Sequence, residues 1–267
     1  MNNPISFMTA NWVARQVDWN MTRGWGQGDK ATSEHFRPIE TFRERLDEYL
    51  RDVRDLGFDS LDMWTAIISP QWVTDEHLRI ARELLDQYGL RVLSLAGWFG
   101  SDAAEFEKSC QIAVALDHAI LGGSTSMLEK DRPYVVSALK GYGLKLGLEN
   151  HPEKNPQEMI SRVGDGGDGT IGVCVDTGWF GTQGYDAALA LQELQNVLFY
   201  VHLKDVLKAG EHVTCRFGQG IVPLRECVVA LKQIGYTGGI SVEHEPEHSN
   251  PNEDVQASAA MLKEWLS

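Results

Sequence analysis

The 267-residue sequence has few cysteines, no excess of basic charge and no long apolar run, and each shortage closes off a class of function. Its four cysteines, Cys110, Cys174, Cys215 and Cys227, show neither CxxC spacing nor the density of a disulfide framework, so reduced, buried thiols are expected. Lys and Arg number 24 against 38 Asp and Glu, a formal net charge of −14, which repels nucleic acid and anionic membrane surfaces. No apolar stretch approaches the ~20 residues a bilayer needs, and Met1 to Ala10 lack the basic start and apolar core of an export signal. The expectation is a soluble cytoplasmic protein with no membrane or nucleic-acid partner. Low-complexity tracts, heptad runs and blocks of like charge are also missing, and DGGDG (Asp165 to Gly169) is followed by no GKS or GKT and is a turn, not a phosphate loop. What remains is a small polar ligand.

The composition that is present, 43% hydrophobic and 23% charged, is that of an ordinary globular chain. Strand-like runs alternate with helix-like runs from end to end, which is the pattern of βα units around a parallel sheet. ISFMTANW reads as the first strand, ending near Trp12, and Phe42, Leu46, Leu50 and Val53 fall at helical spacing before a stop at Gly57. Thr74 or Asp75 caps a further helix in which His77 reads as exposed. About eight such units predict an α/β fold, a (β/α)8 barrel forming one domain over 1–267. An open doubly wound sheet is the alternative, but no GxGxxG follows the first strand. Residues 15–37, with Trp19, Trp25 and three glycines, form a long insertion after the first strand, read either as a lid over the barrel mouth or as a subunit contact. Leu207 to Ile221 reads as a loop.

Four short stretches carry chemistry at expected strand tips: KLGLENHP (Glu149, Asn150, His151), IGVCVDTGW (Asp176), VLFYVHLKD (His202, Lys204) and GGISVEHEPE (Glu243, His244, Glu245). Glu149, Asp176, His202 and Glu243 are separated by 27, 26 and 41 residues, the lengths of single βα units, so in a barrel they share one rim. A lone strand-end carboxylate more often caps a helix or pairs with a base; four in register point to a divalent metal. Three carboxylates and one imidazole suit Mn²⁺ or Mg²⁺, with Co²⁺, Fe²⁺ or Zn²⁺ as alternatives. His151 has the parity of Glu149, and Lys204 that of His202, so both point to the same side as candidate substrate ligands; for Lys204 the competing reading is a salt bridge with Asp205 or Glu243. By the same alternation Glu245 shares the side of Glu243 and His244 faces away. Trp12, Trp64 and Trp98 at other strand ends either line the pocket or pack beneath the lid.

GLENHP, VCVDTGW, VHLKD and SVEHE, in that order, resemble the xylose isomerase-like barrel superfamily, the sugar-phosphate isomerase/epimerase group with ketose 3-epimerases, inosose dehydratases and endonuclease IV. The resemblance spans nearly the whole chain and is densest in its C-terminal half. It implies that Glu149, Asp176, His202 and Glu243 are metal ligands, that Glu149 and Glu243 are an acid/base pair, and that catalysis passes through an enediolate-type intermediate. Arg216 in CRFGQG is similar to the family's substrate-contacting arginine. Many members carry a histidine three residues after the strand-six aspartate, where this chain has Trp179; that departure and the net charge argue against trinuclear endonuclease chemistry. Trp179 is then expected either to stack on a sugar or cyclitol ring or to pack in the core.

The resemblance implies a metal-dependent isomerase or epimerase acting on a carbohydrate or cyclitol. Two alternatives share the site: a lyase on a keto-inositol or 3-oxo C-glycoside, which needs a leaving group β to the carbanion, and a non-catalytic sugar-binding barrel. No phosphate clamp is evident, which favours unphosphorylated substrates. Barrels with aromatic insertions often pair, so a homo-oligomer stays open.

Overall fold

Parallel strands buried on both faces are built from near-continuous apolar runs, and this chain supplies eight of them. The computed structural model describes residues 2–267; Met1, the first residue of the expected domain and of the stretch read for an export signal, lies outside the described residues. In chain order the strands are β1 (Ile5–Met8), β2 (Ser60–Trp64), β3 (Arg91–Trp98), β4 (Ile120–Ser124), β5 (Lys145–Glu149), β6 (Ile171–Asp176), β7 (Leu198–Lys208), β8 (Glu211–Cys215) and β9 (Ile240–Glu243). Strands β1 to β7 and β9 pair in parallel, and the β6–β7 and β9–β1 pairings close them into a barrel. All of β6 and β9 is buried.

The helices that cover the barrel are α1 (Trp25–Phe36), α2 (Ile39–Asp55), α3 (Asp75–Tyr88), α4 (Ala103–Ala115), α5 (Met127–Lys130), α6 (Arg132–Tyr142), α7 (Pro156–Val163), α8 (Thr177–Thr182), α9 (Ala187–Glu193), α10 (Leu224–Gln233) and α11 (Asn252–Leu266). Helix α2 buries Phe42, Leu46, Leu50 and Val53, the face its spacing predicted. Among the described residues no helix is long and apolar enough to cross a membrane. The four cysteines are free and buried.

Three local expectations change. Strand β1 stops at Met8, and Thr9–Trp12 is a 3₁₀ turn that tucks Trp12 inside. His77 is buried, not exposed: it closes a capping box with Thr74, its Nε2 lies 3.1 Å from the Arg37 carbonyl oxygen, and its ring meets Phe42 and Trp72. The expected loop after residue 207 is instead a hairpin, in which β7 runs on to Lys208, turns at Gly210 (φ 85°) and returns antiparallel as β8.

Residues 15–37 hold a 3₁₀ turn at Arg15–Val17 and helix α1. Helix α1 approaches the chain below so closely that a Cβ on Gly28 would lie 2.2 Å from the Val13 carbonyl oxygen, so only glycine fits there. Trp25 and Asp29 of the same helix line a cavity at the barrel mouth.

Candidate active site

The stagger of the strands brings the four expected residues together. Glu149 is level with Cys174, Asp176 with His202, and Lys204 with Glu243, so successive inward-pointing residues of β5, β6, β7 and β9 form one step at the C-terminal rim. The His202 Nδ1 atom lies 3.3 Å from Glu149 Oε1 and 3.2 Å from Glu243 Oε2. One ligand atom each from Glu149, Asp176 and His202 falls within 4.8 Å of the others.

Asp176 is fixed from two directions. Its Oδ1 accepts hydrogen bonds from the Gly178 and Trp179 amides, capping α8, while Asn150 bonds its backbone on both sides (Nδ2 to the Asp176 carbonyl, 2.9 Å; Oδ1 from the Asp176 amide, 2.7 Å). That leaves Oδ2 for other work. Asp176 Oδ2, His202 Nδ1 and Glu243 Oε2 are all buried without a hydrogen-bond partner. Three orphaned polar atoms, from two carboxylates and an imidazole with a third carboxylate beside them, are the ligand types a hard or borderline divalent cation takes once the imidazole is neutral, and the residues fit one. The far nitrogen of His202, Nε2, sits 3.5 Å from Cys174 Sγ. The Cys174 side chain occupies space left by two glycines, since a Cβ on Gly122 or Gly147 would come within 3.3 Å of it.

Lys204 is the second organiser of the site. Its ammonium is buried 2.9 Å from Asp176 Oδ2 and 2.9 Å from Glu243 Oε1, and donates a hydrogen bond to Glu245 Oε2 at 3.1 Å. The expected partner Asp205 is engaged elsewhere, accepting from the Val206, Gly218, Gly220 and Val222 amides. The Lys204 stem lies over Gly178, where a Cβ would sit 2.7 Å from its Cγ and Cδ. Burial pushes the Asp176 carboxyl up to about 6 and Glu245 up to about 7, in both cases against the pull of Lys204. Burial acts on Glu243 in the same sense, but Lys204 and His202 outweigh it and hold that carboxyl at about 2. Glu149 keeps 23% of its side chain open to the cavity, against 5% for Glu243.

The cavity above this cluster measures about 1010 Å³. His151 and Lys204 line it as the strand parity predicted. Trp179 lines it too, but not as a free sugar platform: His151 stacks on one face at 3.9 Å and His212 on the other at 3.7 Å, so only its edge meets the ligand space. Burial lowers the His212 imidazole to about 3, and its Nδ1 is bonded to Thr182 Oγ1.

Two expected substrate contacts fall outside. Trp12 is 2% exposed, packed against Phe7 and Tyr49 with its Nε1 donating to Asn252 Oδ1, because the 3₁₀ turn aims it into the core. Arg216 lies beyond the end of β8 with its guanidinium 3.8 Å from Asp254 of α11, away from the cavity lining. His212, Thr214 and Asp29 also line the cavity, though none was expected there. The first two had a legible signal: VLKAGEHVTC is two strand-like runs around an Ala-Gly turn, the pattern of a hairpin.

The family model for the xylose isomerase-like TIM barrel matches residues 50–265. An uncharacterised protein of Methanocaldococcus jannaschii is 32% identical over 143 residues, 49% of this chain and 46% of its own length. The L-ribulose-5-phosphate 3-epimerase UlaE of Salmonella paratyphi A is 25% identical over 197 residues, 72% of this chain and 62% of its own. The chain thus spans about half to three-fifths of the curated relatives it matches. Among solved structures, an L-ribulose 3-epimerase superposes with a TM-score of 0.70 at 15% identity, covering 99% of this chain and 94% of its own. A D-tagatose 3-epimerase-like protein gives 0.68 at 18%, covering 98% and 97%. At these identities the two structures share the fold.

Proposed function

Because the chain belongs to the xylose isomerase-like TIM barrel family, we propose that it is a divalent-metal-dependent sugar isomerase or epimerase that moves a proton on a carbon next to a carbonyl. The observation that carries this reading is the convergence of Glu149, Asp176, His202 and Glu243 from four neighbouring strands, with His202 Nδ1 between two glutamates at 3.3 and 3.2 Å. These four would hold the ion, Mn²⁺ or Mg²⁺ on the oxygen-rich donor set. When bound, such an ion supplies Lewis-acid polarisation of a carbonyl and its adjacent hydroxyl. Relatives named for epimerisation of L-ribulose 5-phosphate support the reaction class.

The chain's own residues divide the remaining work. Glu149, open to the cavity, is placed to take the proton; Glu243, ionised and held by Lys204 and His202, faces the same space from β9 and completes the acid/base pair. Lys204 keeps Glu243 anionic, draws Asp176 toward its ionised form against the effect of burial, and holds Glu243 and Glu245 on either side of its ammonium. His151, on the stack with Trp179 and His212, presents a ring edge for substrate hydroxyls. Helix α1, through Trp25 and Asp29, covers the mouth and limits water.

The test is a panel of ketoses, inososes and 3-oxo-glycosides incubated with Mn²⁺ in D₂O and followed by NMR. Deuterium entering beside the carbonyl without elimination is expected, and Glu149→Gln is expected to abolish it. Elimination products would move the site to lyase chemistry, and no exchange with any member would overturn the reading.

A further inference from the structure

Large aromatic side chains at a free surface are expensive to leave wet, and this chain leaves two of them in one place. Trp98 is 44% exposed and Trp25 is 40% exposed, and both line the cavity. Trp25 stands 5.2 Å from the ring of Trp64 at the tip of β2, and Trp98 is the last residue of β3. Trp25 and Trp64 pair over β2, and Trp98 lines the same cavity from the adjoining strand β3. In the closed strand order β2 and β3 lie half a circuit from β6 and β7, which carry Asp176, His202 and Lys204. The cavity has a polar, acidic end and an indole end on opposite walls.

Size and charge narrow the ligand. At about 1010 Å³ the cavity sits at the upper limit of the ~300–1,000 Å³ range typical of pockets for drug-sized ligands, far more than a free pentose or hexose fills. Among the described residues that line it, Lys204 alone is a lysine or arginine, and its ammonium already faces Asp176, Glu243 and Glu245. Asp29 and Glu247 also line the cavity, so a phosphate would meet carboxylates and no lysine or arginine free to hold it.

We propose that the Trp25, Trp64 and Trp98 wall is a subsite for a flat apolar substituent, so that the substrate class is an uncharged sugar carrying an aromatic or similarly planar group, not a sugar phosphate. This rests on the reading that the acidic end takes the sugar. The sugar's hydroxyls meet Glu149, His151 and the acidic step; the planar group reaches across the mouth and stacks on the indoles, which then lose their exposure.

The experiment uses the full chain with and without Mn²⁺. Isothermal titration compares glucose, galactose and xylose, their phenyl glycosides and the corresponding sugar phosphates. In at least one series the phenyl glycoside is expected to bind about tenfold or more tightly than its parent sugar, about 1.4 kcal/mol. Trp98→Ala, at a position 44% exposed, is expected to remove most of that gain, and Trp98→Phe to retain it, with Mn²⁺ affinity unchanged in both. Phenyl glycosides no tighter than their parents in every series, phosphates binding tightest, or no sugar bound at all would each overturn the subsite. Failure of Mn²⁺ to bind would instead count against the metal-dependent reading, and the Trp98 contrast is then read on the metal-free chain.

Discussion

Replacing Lys204 by methionine removes the one ammonium among three carboxylates while keeping most of the stem that lies over Gly178. Breaking a buried ion pair on one side costs about 3–5 kcal/mol, because the partner charges remain buried and uncompensated. Lys204 is 2% exposed and its nearest partners, Asp176 and Glu243, are 0% and 5% exposed, so solvent does little to screen the loss. At about 2–4 °C per kcal/mol for a chain a little smaller than this one, the metal-free variant should melt roughly 10 °C below the parent. A divalent cation on Glu149, Asp176, His202 and Glu243 replaces the missing charge, so Mn²⁺ should raise the melting temperature of Lys204→Met by more than it raises that of the parent. Differential scanning fluorimetry with and without Mn²⁺ reads both quantities. A loss below about 1 kcal/mol, or equal Mn²⁺ shifts in the two proteins, would refute the idea that Lys204 and the metal neutralise the same carboxylates.

Other outcomes follow from the same geometry. Asp176 and Glu245 have folded-state values of about 6 and about 7, above their ordinary range, so the folded metal-free chain keeps protons that the unfolded chain releases. Its stability from these groups is fully present below about pH 4 and is lost as pH rises to about 7. Metal binding must displace the Asp176 proton, so Mn²⁺ affinity measured by titration should rise between about pH 5 and pH 8. Cys174→Ala should weaken Mn²⁺ binding by about tenfold, because His202 Nε2 loses the sulfur that orients the ring; unchanged affinity would show that β7 alone fixes the imidazole. Gly178→Ala should shift Lys204 and lower the melting temperature of the metal-free chain, whereas Gly26→Ala, whose Cβ meets nothing within 4 Å, should leave it level or raise it; equal shifts would show that the new Cβ does not press on Lys204.

The barrel and its four strand-tip residues were legible because both rest on short-range regularities. Apolar runs recur with βα spacing, and Glu149, Asp176, His202 and Glu243 each end one. Parity placed Lys204 and His151 on the correct wall, though not the three-carboxylate clamp, since Glu245 and Asp176 reach Lys204 only through the stagger of the strands. Trp12 was misplaced because one residue type at a strand end is compatible with a strand or a 3₁₀ turn, and only the turn sends the indole inward. Arg216 was misplaced for a related reason: the hairpin from β7 to β8 carries His212 and Thr214 to the cavity and ends before the arginine can turn in. The stack of His151, Trp179 and His212 joins three elements 28 and 33 residues apart in sequence, a tertiary event that no local pattern encodes.

Whether the four strand tips make a single-ion site is decided by Mn²⁺ titration of the full chain beside Asp176→Asn. The amide keeps the Oδ1 bonds to Gly178 and Trp179 and changes only the charge and the orphaned Oδ2 position. One ion per chain in the parent, bound about 100-fold more weakly by the variant, is the predicted result. No ion bound by the parent, or equal affinity in both proteins, would contradict it.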